Sequence, residues 1–259
     1  MELLLTKEEG GVVEITIHRP QELNALNRPL LKELSELLHT LQQDERVRCL
    51  IVTGSGDRSF VAGADIGEMA EMTRSEAEMY SRFGHRVMRQ FEAFPVPVIA
   101  AVNGFALGGG FELALACDIR IASARASFAF PETGLGIIPG FGGTQRLSRL
   151  LNPMTAFDLI MTGRRVKADE AKALGIVSEV LEAEDLLLRA WEIAELIAKK
   201  APLAVREAKR AIRDGLKLTP EEGDVLEEVA FGRLFDTEDQ KNAMRHFLDK
   251  EEAPPFQGK

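Results

Sequence analysis

The chain has 259 residues, of which 45% are hydrophobic and 28% charged, and its formal net charge is −9. These proportions are typical of a globular protein with a substantial core, and the acidic balance argues against a nucleic-acid surface held by bulk electrostatics. No run approaches the roughly 18 apolar residues that a membrane helix needs, and the amino terminus has no signal-like pattern, so we expect a soluble cytoplasmic protein.

The first half of the chain alternates apolar runs with helical patterns. Residues 3–7 and 12–18 predict a β-hairpin, and Asn27 predicts the N-cap of an amphipathic helix. Continuous apolar runs predict buried strands at residues 49–53, 96–102 and 119–122. Because strands alternate with helices, the sequence predicts an α/β fold with a largely parallel sheet.

Helical patterns dominate after Thr144. Asn152 followed by proline predicts a helix start, and Gly163 predicts its end. Capping boxes are predicted at residues 75–78, 219–222 and 237–240. We place a soft boundary near residue 195, which divides a core at 1–195 from a helical region at 196–259 that is too short for a large core of its own.

The cysteines and histidines do not form a pattern that indicates a functional site. Cys49 and Cys117 each lie in an apolar stretch, so we expect two buried thiols rather than a disulfide or a metal pair. The four histidines are scattered, with no cysteine or carboxylate at ligand spacing, and no metal site is predicted.

Three consecutive glycines, residues 108–110, stand just before Glu112. They fit a tight strand-to-helix turn, and they also fit a turn whose free N–H groups and helix dipole face an anion. Neither a dinucleotide fingerprint, a phosphate loop nor a nucleophile elbow is present at this run. Glu112 fits a helix-dipole carboxylate, but its apolar neighbours favour a partly buried acid with a partner or a purpose.

Two further positions are candidates for a site. Glu132 follows Pro131 and fits either a surface turn or the lining of a pocket. Asp65 lies in the loop after the 49–53 run, where it fits a turn cap, while Ala62 and Ala64 beside it would expose N–H groups to a ligand. Two carboxylates near an anion-stabilising turn are the equipment for moving protons next to a carbonyl that becomes an oxyanion.

At these residues the chain strongly resembles the enoyl-CoA hydratase/isomerase (crotonase) superfamily. The similar blocks span essentially the whole chain, at residues 24–27, 62–66, 97–114, 130–140, 169–177 and 247–250. The resemblance implies a crotonase-like spiral of ββα repeats with a C-terminal helical trimerisation region. It also implies an acyl-CoA thioester substrate and a homo-hexamer built as a dimer of trimers.

The resemblance assigns roles by position. The N–H groups of Ala64 and Gly109 would form an oxyanion hole, while Glu112 would hold and activate water and Glu132 would protonate C2. No cofactor is implied besides the CoA of the substrate. The implied substrate and CoA contacts are Ala25, Ala62, Asp65, Ile66, Pro139, Gly140 and Lys250.

The chain departs from the family pattern in places. Gly67 stands where many members carry a lysine, which removes one CoA phosphate contact that Lys250 of a neighbouring subunit could replace. Phe111 stands where well-known hydratases have a small residue. The acyl pocket is expected to involve Ile66, Met69 and Ile138, without an indication of chain length.

Having both glutamates favours reversible hydration of trans-2-enoyl-CoA to 3-hydroxyacyl-CoA, of the kind found in fatty-acid β-oxidation. Isomerisation of 3-enoyl-CoA needs only one carboxylate and is the nearest alternative, followed by thioester hydrolysis. An RNA-binding or scaffolding protein on the same fold is the alternative of another class, and the acidic composition argues against it.

Overall fold

The structure is a computed structural model that describes residues 3–252 and 254–259. Within them the strands are β1 Leu4–Glu9, β2 Val12–Ile17, β3 Cys49–Gly54, β4 Ser59–Ala62, β5 Val98–Val102, β6 Phe105–Leu107, β7 Ile119–Ser123, β8 Ser127–Ala129, β9 Val166–Lys167 and β10 Glu179–Leu181. The α-helices are α1 Arg28–Leu41, α2 Ile66–Met69, α3 Arg74–Glu92, α4 Gly109–Ala116, α5 Gly143–Leu150, α6 Pro153–Thr162, α7 Ala168–Ala173, α8 Leu186–Ala198, α9 Pro202–Gly215, α10 Pro220–Leu234 and α11 Glu238–Asp249. Two short 3-10 helices lie at Pro20–Glu22 and Pro131–Leu135.

Two sheets form the framework. The larger has the strand order β1-β2-β3-β5-β7-β10 and is parallel apart from the β1–β2 hairpin. The smaller has the order β4-β6-β8-β9, of which only β9 runs antiparallel. In sequence, β3, β5 and β7 of the larger sheet are each followed by a strand of the smaller one. The expected α/β spiral of ββα turns is therefore confirmed.

The core lies on both faces of the larger sheet. All six residues of β3 are buried, as a continuous apolar run predicts for a central parallel strand. Helix α1 packs on one face through leucines at helical spacing, including Leu30, Leu34 and Leu38, and α8 covers the other through Ala190 and Ala194. Cys49 and Cys117 are free and buried within these layers, as expected.

Helix starts were predicted correctly where the sequence offered one capping residue. The prediction was wrong where two candidate capping residues lay close together. Asn27 and Asn152 cap α1 and α6 through their side chains, and Thr219 forms a full capping box with Glu222. The box predicted at residues 75–78 is wrong, because Thr73 and Glu76 form it two residues earlier. At residues 237–240 Thr237 caps α11, but the reciprocal bond from Gln240 is absent.

Helix α9 of the C-terminal region is joined to the core by an ion pair whose lysine is buried. Lys209 on α9 lies 2.6 Å from Asp118 and also donates to the carbonyl of Val96. Residue 195, near which the boundary was predicted, falls inside α8, and the division into two regions stays a prediction. No helix of the described part is long and apolar enough to cross a membrane.

Candidate active site

A cavity of about 1500 Å³ opens where strands of the smaller sheet end. Ala62 and Leu107, the last residues of β4 and β6, both line it. The carboxyl ends of parallel strands are where α/β sheets place ligands, because the connections that follow them leave backbone groups free there. The cavity also reaches residues of α3 and the segment that leads into α5.

The glycine run turns the chain from β6 directly into α4. Gly108 has a φ of 47°, which is a left-handed conformation that glycine adopts at low cost. At Gly110 a Cβ atom would lie 1.9 Å from the carbonyl oxygen of Val61. Glycine is thus needed here for the turn and for the close approach of α4 to β4, so the tight strand-to-helix turn is present.

The backbone N–H groups of Ala64 and Gly109 lie close together at this turn. The Cβ position of Gly109 is 3.5 Å from the amide nitrogen of Ala64. The backbone of Leu26 bonds to both neighbours of Ala64: its N–H donates to the carbonyl of Gly63, and its carbonyl accepts from the N–H of Asp65. Among the described residues we find no acceptor for the Ala64 N–H, and Gly109 opens α4, where N–H groups have no partner within the helix. Two such donors can hold an oxyanion.

Glu112 is almost completely buried in the first half of α4, at 1% exposure. Its Oε1 atom accepts hydrogen bonds of 2.7 Å from the N–H groups of Phe141 and Gly143. Burial raises the pKa of Glu112 to about 7, although these two bonds and the charge of Arg146 act to lower it. The side chain is therefore a fixed acid that can take up or release a proton near neutral pH.

Glu132 lies on the 3-10 helix Pro131–Leu135 and is buried, but it is held much less firmly. Its Oε2 atom is buried and has no hydrogen-bond partner among the described residues. Burial raises the pKa of Glu132 to about 7, its own backbone N–H lowers the pKa, and the charge of Glu112 raises it further. A buried carboxyl without a partner is favoured in its protonated form, which makes Glu132 a suitable proton donor.

The Glu132 carboxylate lies against the glycine turn. A Cβ atom on Gly108 would be 2.5 Å from its Oε1 atom. Glu132, Gly109 and Ala64 line the same cavity as Glu112. The structure therefore brings both predicted acids and both predicted N–H donors into one site.

The other predicted contacts divide into three groups. Four of them line the cavity, namely Ala62, Ile66, Pro139 and Gly140. Ala25 is buried and lies behind the wall. Lys250 ends α11 in a left-handed conformation and does not line the cavity of its own chain.

Asp65 belongs to the wall rather than to the lining. It accepts from the N–H of Glu68 as the cap of α2, and it forms a 3.2 Å ion pair with Arg19. Arg19 also donates to the carbonyl of Ala25. The cap predicted for Asp65 is thus present, and the side chain helps to fix the segment that carries Ala64.

The sequence patterns did not indicate which groups hold the Glu112 side chain. The donors Phe141 and Gly143 belong to a second glycine-rich run, which leads into α5 as the first run leads into α4. That run was a signal for N–H groups aimed at an anion, although nothing in it showed that the anion is Glu112. Arg146 and Ser81, which touch the same segment, carried no local signal.

No group of three or more histidine, cysteine or acidic residues in the described part of the chain could hold a metal ion. The groups that the site does present are two carboxyl groups and two backbone donors in one cavity.

The comparisons with known proteins point to one family. The family model described as enoyl-CoA hydratase/isomerase matches residues 7–259. The short-chain-enoyl-CoA hydratase of Clostridium acetobutylicum is 48% identical over 256 residues, which cover 99% of this chain and 98% of that protein. The crotonyl-CoA hydratase of Syntrophomonas wolfei is 47% identical over 251 residues, which cover 97% of this chain and 96% of that one.

A solved structure shows the same fold. The crystal structure of an enoyl-CoA hydratase from Bacillus anthracis has a TM-score of 0.96 and 40% sequence identity, with complete coverage of both chains. Together with the family match over residues 7–259, this likeness leaves one conclusion. The chain belongs to the enoyl-CoA hydratase/isomerase family.

Proposed function

We propose that this protein adds water reversibly across the double bond of a trans-2-enoyl-CoA to give a 3-hydroxyacyl-CoA. The observation that carries the proposal is the pairing of two buried carboxyl groups, both with a pKa raised to about 7, beside two backbone N–H donors in one cavity. Relatives named as short-chain-enoyl-CoA and crotonyl-CoA hydratases support it.

The N–H groups of Ala64 and Gly109 bind the thioester carbonyl oxygen. Attack of water at C3 moves electrons onto that oxygen, and an enolate-like transition state follows. A preorganised donor of this kind is worth about 3–4 kcal/mol, because its interaction strengthens as the charge develops. The start of α4 at Gly109 adds the positive end of a helix dipole.

The two glutamates move the protons. Glu112, ionised and fixed by the N–H groups of Phe141 and Gly143, takes a proton from the water whose oxygen bonds to C3. Glu132, protonated, delivers its proton to C2. The site returns to its starting state when a proton passes from Glu112 back to Glu132. A pKa near 7 suits both tasks at neutral pH.

This addition needs neither a metal nor a redox cofactor. Adding water transfers no electrons to or from the substrate overall, and the two N–H donors supply the stabilisation of negative charge that a Lewis acid would otherwise give. Activity that is unchanged after dialysis against a chelator is the expected result.

The test is the loss of enoyl-thioester absorbance when the purified protein is mixed with crotonyl-CoA. Turnover to 3-hydroxybutyryl-CoA supports the proposal. The same assay is run in parallel with enoyl-CoA substrates of four to ten carbons, and no turnover with any of them refutes the proposal. Two further assays cover the rivals. Conversion of a 3-enoyl-CoA in the absence of hydration indicates isomerisation, and release of free thiol indicates thioester hydrolysis.

We also propose that the protein acts as a homo-hexamer, a dimer of trimers, in fatty-acid β-oxidation or its reverse. Large apolar side chains on the C-terminal helices are exposed in the single chain, among them Phe231, Phe247 and Leu248. Exposed apolar side chains of this size support a subunit interface in this region. Lys250 ends the same region, so a neighbouring subunit can bring it to the CoA phosphates. Light scattering that gives a monomer mass refutes the assembly.

A further inference from the structure

The segment that holds Glu112 consists of three consecutive peptide units between Gly140 and Gly143, of which the first and the third face Glu112. The N–H groups of Phe141 and Gly143 each donate to Glu112 over 2.7 Å. The carbonyl groups of the same units point the other way. Each carbonyl is held by a different partner, so the orientation of the units does not depend on Glu112 itself.

The first two carbonyls are held by side chains. Ser81 on α3 donates to the carbonyl of Gly140 over 2.6 Å, and that carbonyl shares its peptide unit with the N–H of Phe141. Arg146 on α5 donates from Nη1 to the carbonyl of Phe141 over 2.7 Å. The third carbonyl, of Gly142, accepts from backbone N–H groups in the first turn of α5.

Arg146 is itself anchored. Its Nε and Nη2 atoms donate to the two carboxylate oxygens of Glu92 at the end of α3, over 2.8 and 3.0 Å. The Arg146 side chain is 13% exposed and that of Glu92 37%, so the bidentate pair is partly shielded from water and geometrically restricted. A bidentate pair fixes the plane of the guanidinium, which leaves Nη1 directed at Phe141.

We propose that the Arg146–Glu92 pair is a positioning device that ties α3 to α5 and holds the Phe141 and Gly143 N–H groups on Glu112. Arg146 does not touch the reacting atoms, and it acts through the backbone and through its charge. The proposal rests on the hydratase activity proposed above and adds two residues to its machinery. Comparable ion pairs elsewhere on the molecule, such as Arg189 with Glu179, have no such connection to the cavity.

The charge of Arg146 has a second consequence. It lowers the pKa of Glu112, against the larger effect of burial, and so keeps more of the Glu112 carboxylate ionised at neutral pH. The other titratable groups near this segment include Glu132 on the 3-10 helix and two residues of α3, Tyr80, whose ring packs against Phe141, and His85, whose ring lies against Gly142. The pKa of His85 is lowered by burial and by the charges of Arg146 and Arg89.

The experiment compares Arg146→Gln with the wild type over a pH series. The expected result is a loss in kcat of about 10- to 100-fold at neutral pH with little change in KM, because small misplacement of a catalytic group costs about this much. The acidic limb of the kcat/KM profile should move to higher pH, because Glu112 loses a neighbouring positive charge. The double variant Arg146→Gln/His85→Asn should keep that movement, which separates it from titration of His85.

Two further variants separate charge from geometry. Arg146→Lys keeps the charge and should restore the acidic limb while recovering only part of kcat. Glu92→Gln removes the anchor but leaves the charge, so kcat should fall without an upward movement of the limb. These two also carry the test if Arg146→Gln does not fold.

The matched control is Arg189→Gln, which breaks another bidentate pair of similar geometry outside the cavity. It should leave kcat and the pH profile within twofold of the wild type. The proposal is overturned if Arg146→Gln keeps kcat within threefold and its acidic limb unmoved, or if Arg189→Gln loses as much activity. A wild type without hydratase turnover contradicts the proposed function instead, and the two failures are therefore distinguishable.

Discussion

The surroundings of Glu112 and of Glu132 differ more than the two side chains do. Glu112 is enclosed by backbone donors and by a nearby arginine charge, whereas one carboxylate oxygen of Glu132 has no partner among the described residues. Both have a pKa raised to about 7. At Glu112 deep burial raises the pKa strongly, and the hydrogen-bond partners and Arg146 lower it in part. At Glu132 the burial is shallower, but little acts to lower the pKa, so the same value results. Since the two pKa values are equal, the roles proposed for the two groups rest on geometry, with water oriented by the firmly held carboxylate and the proton delivered by the free one.

The largest effect is expected from replacing Glu132 by a residue that cannot donate an acidic proton. Glu132→Gln should lower kcat with crotonyl-CoA by about 10² to 10⁴-fold, the range that general acid catalysis contributes. Glu195→Gln, the same change on the exposed surface of α8, is the control and should have wild-type kinetics. Full activity in Glu132→Gln would remove Glu132 from the mechanism.

Displacing Glu132 without changing it is the next test. In Gly108→Ala the new Cβ atom would lie 2.5 Å from Glu132 Oε1, so the carboxyl group must shift, and we expect a loss in kcat of about 100-fold. Gly10→Ala is the matched control, because Gly10 also has a positive φ but has nothing within 4 Å of its Cβ position. Both variants should lose about 1–3 kcal/mol of stability, because alanine is strained at a positive φ. Equal kinetics in the two would contradict the contact.

The raised pKa that the two glutamates share should also appear in stability. The pKa of Glu132 is raised from 4.5 to about 7 on folding, so the folded protein binds the proton more tightly and loses stability as pH rises from about 4.5 through 7. Glu132→Gln removes this loss and should stabilise the protein by about 1–3 kcal/mol at pH 8, and by much less at pH 5.

Glu112→Gln serves as the comparison for that measurement. The pKa of Glu112 is also raised from 4.5 to about 7, with the effects of its partners included, so the pH-dependent part of its gain at pH 8 should be of the same size. The amide oxygen of glutamine can still accept from Phe141 and Gly143. Thermal unfolding at both pH values measures the two gains, and a gain at pH 8 in only one of the two variants would contradict the equal pKa values.

The smallest effect concerns the support of the N–H donors. The Tyr80 hydroxyl donates over 3.1 Å to the carbonyl of Leu26, whose backbone bonds to both neighbours of Ala64. Tyr80→Phe removes that bond and should cost about 0.5–1.5 kcal/mol of stability and about two- to fivefold in kcat. Steady-state kinetics and thermal unfolding measure both. A loss of 100-fold or more would assign Tyr80 a direct part in the chemistry.

Local patterns predicted the long elements and the helix caps well, for a physical reason. A cap such as Asn27 depends on a hydrogen bond to a residue three positions away, and a strand such as β3 depends on a run of apolar residues. Where two local solutions competed, as at Thr73 and Ser75, the pattern could not choose, and the earlier residue forms the cap. The strands of the smaller sheet were missed because β4, β6 and β8 have only three or four residues, too few to show a period.

The sequence by itself determined the chemical groups of the site. The glycine run, the two glutamates and their flanking blocks were sufficient to identify the family and the two acids, because these features are local in the chain. Only the tertiary structure decided how each acid is held. The donors of Glu112 come from 29 and 31 residues further along the chain, and the Arg146–Glu92 pair spans 54 residues. Burial, pKa and orientation depend on such contacts, which no local pattern contains.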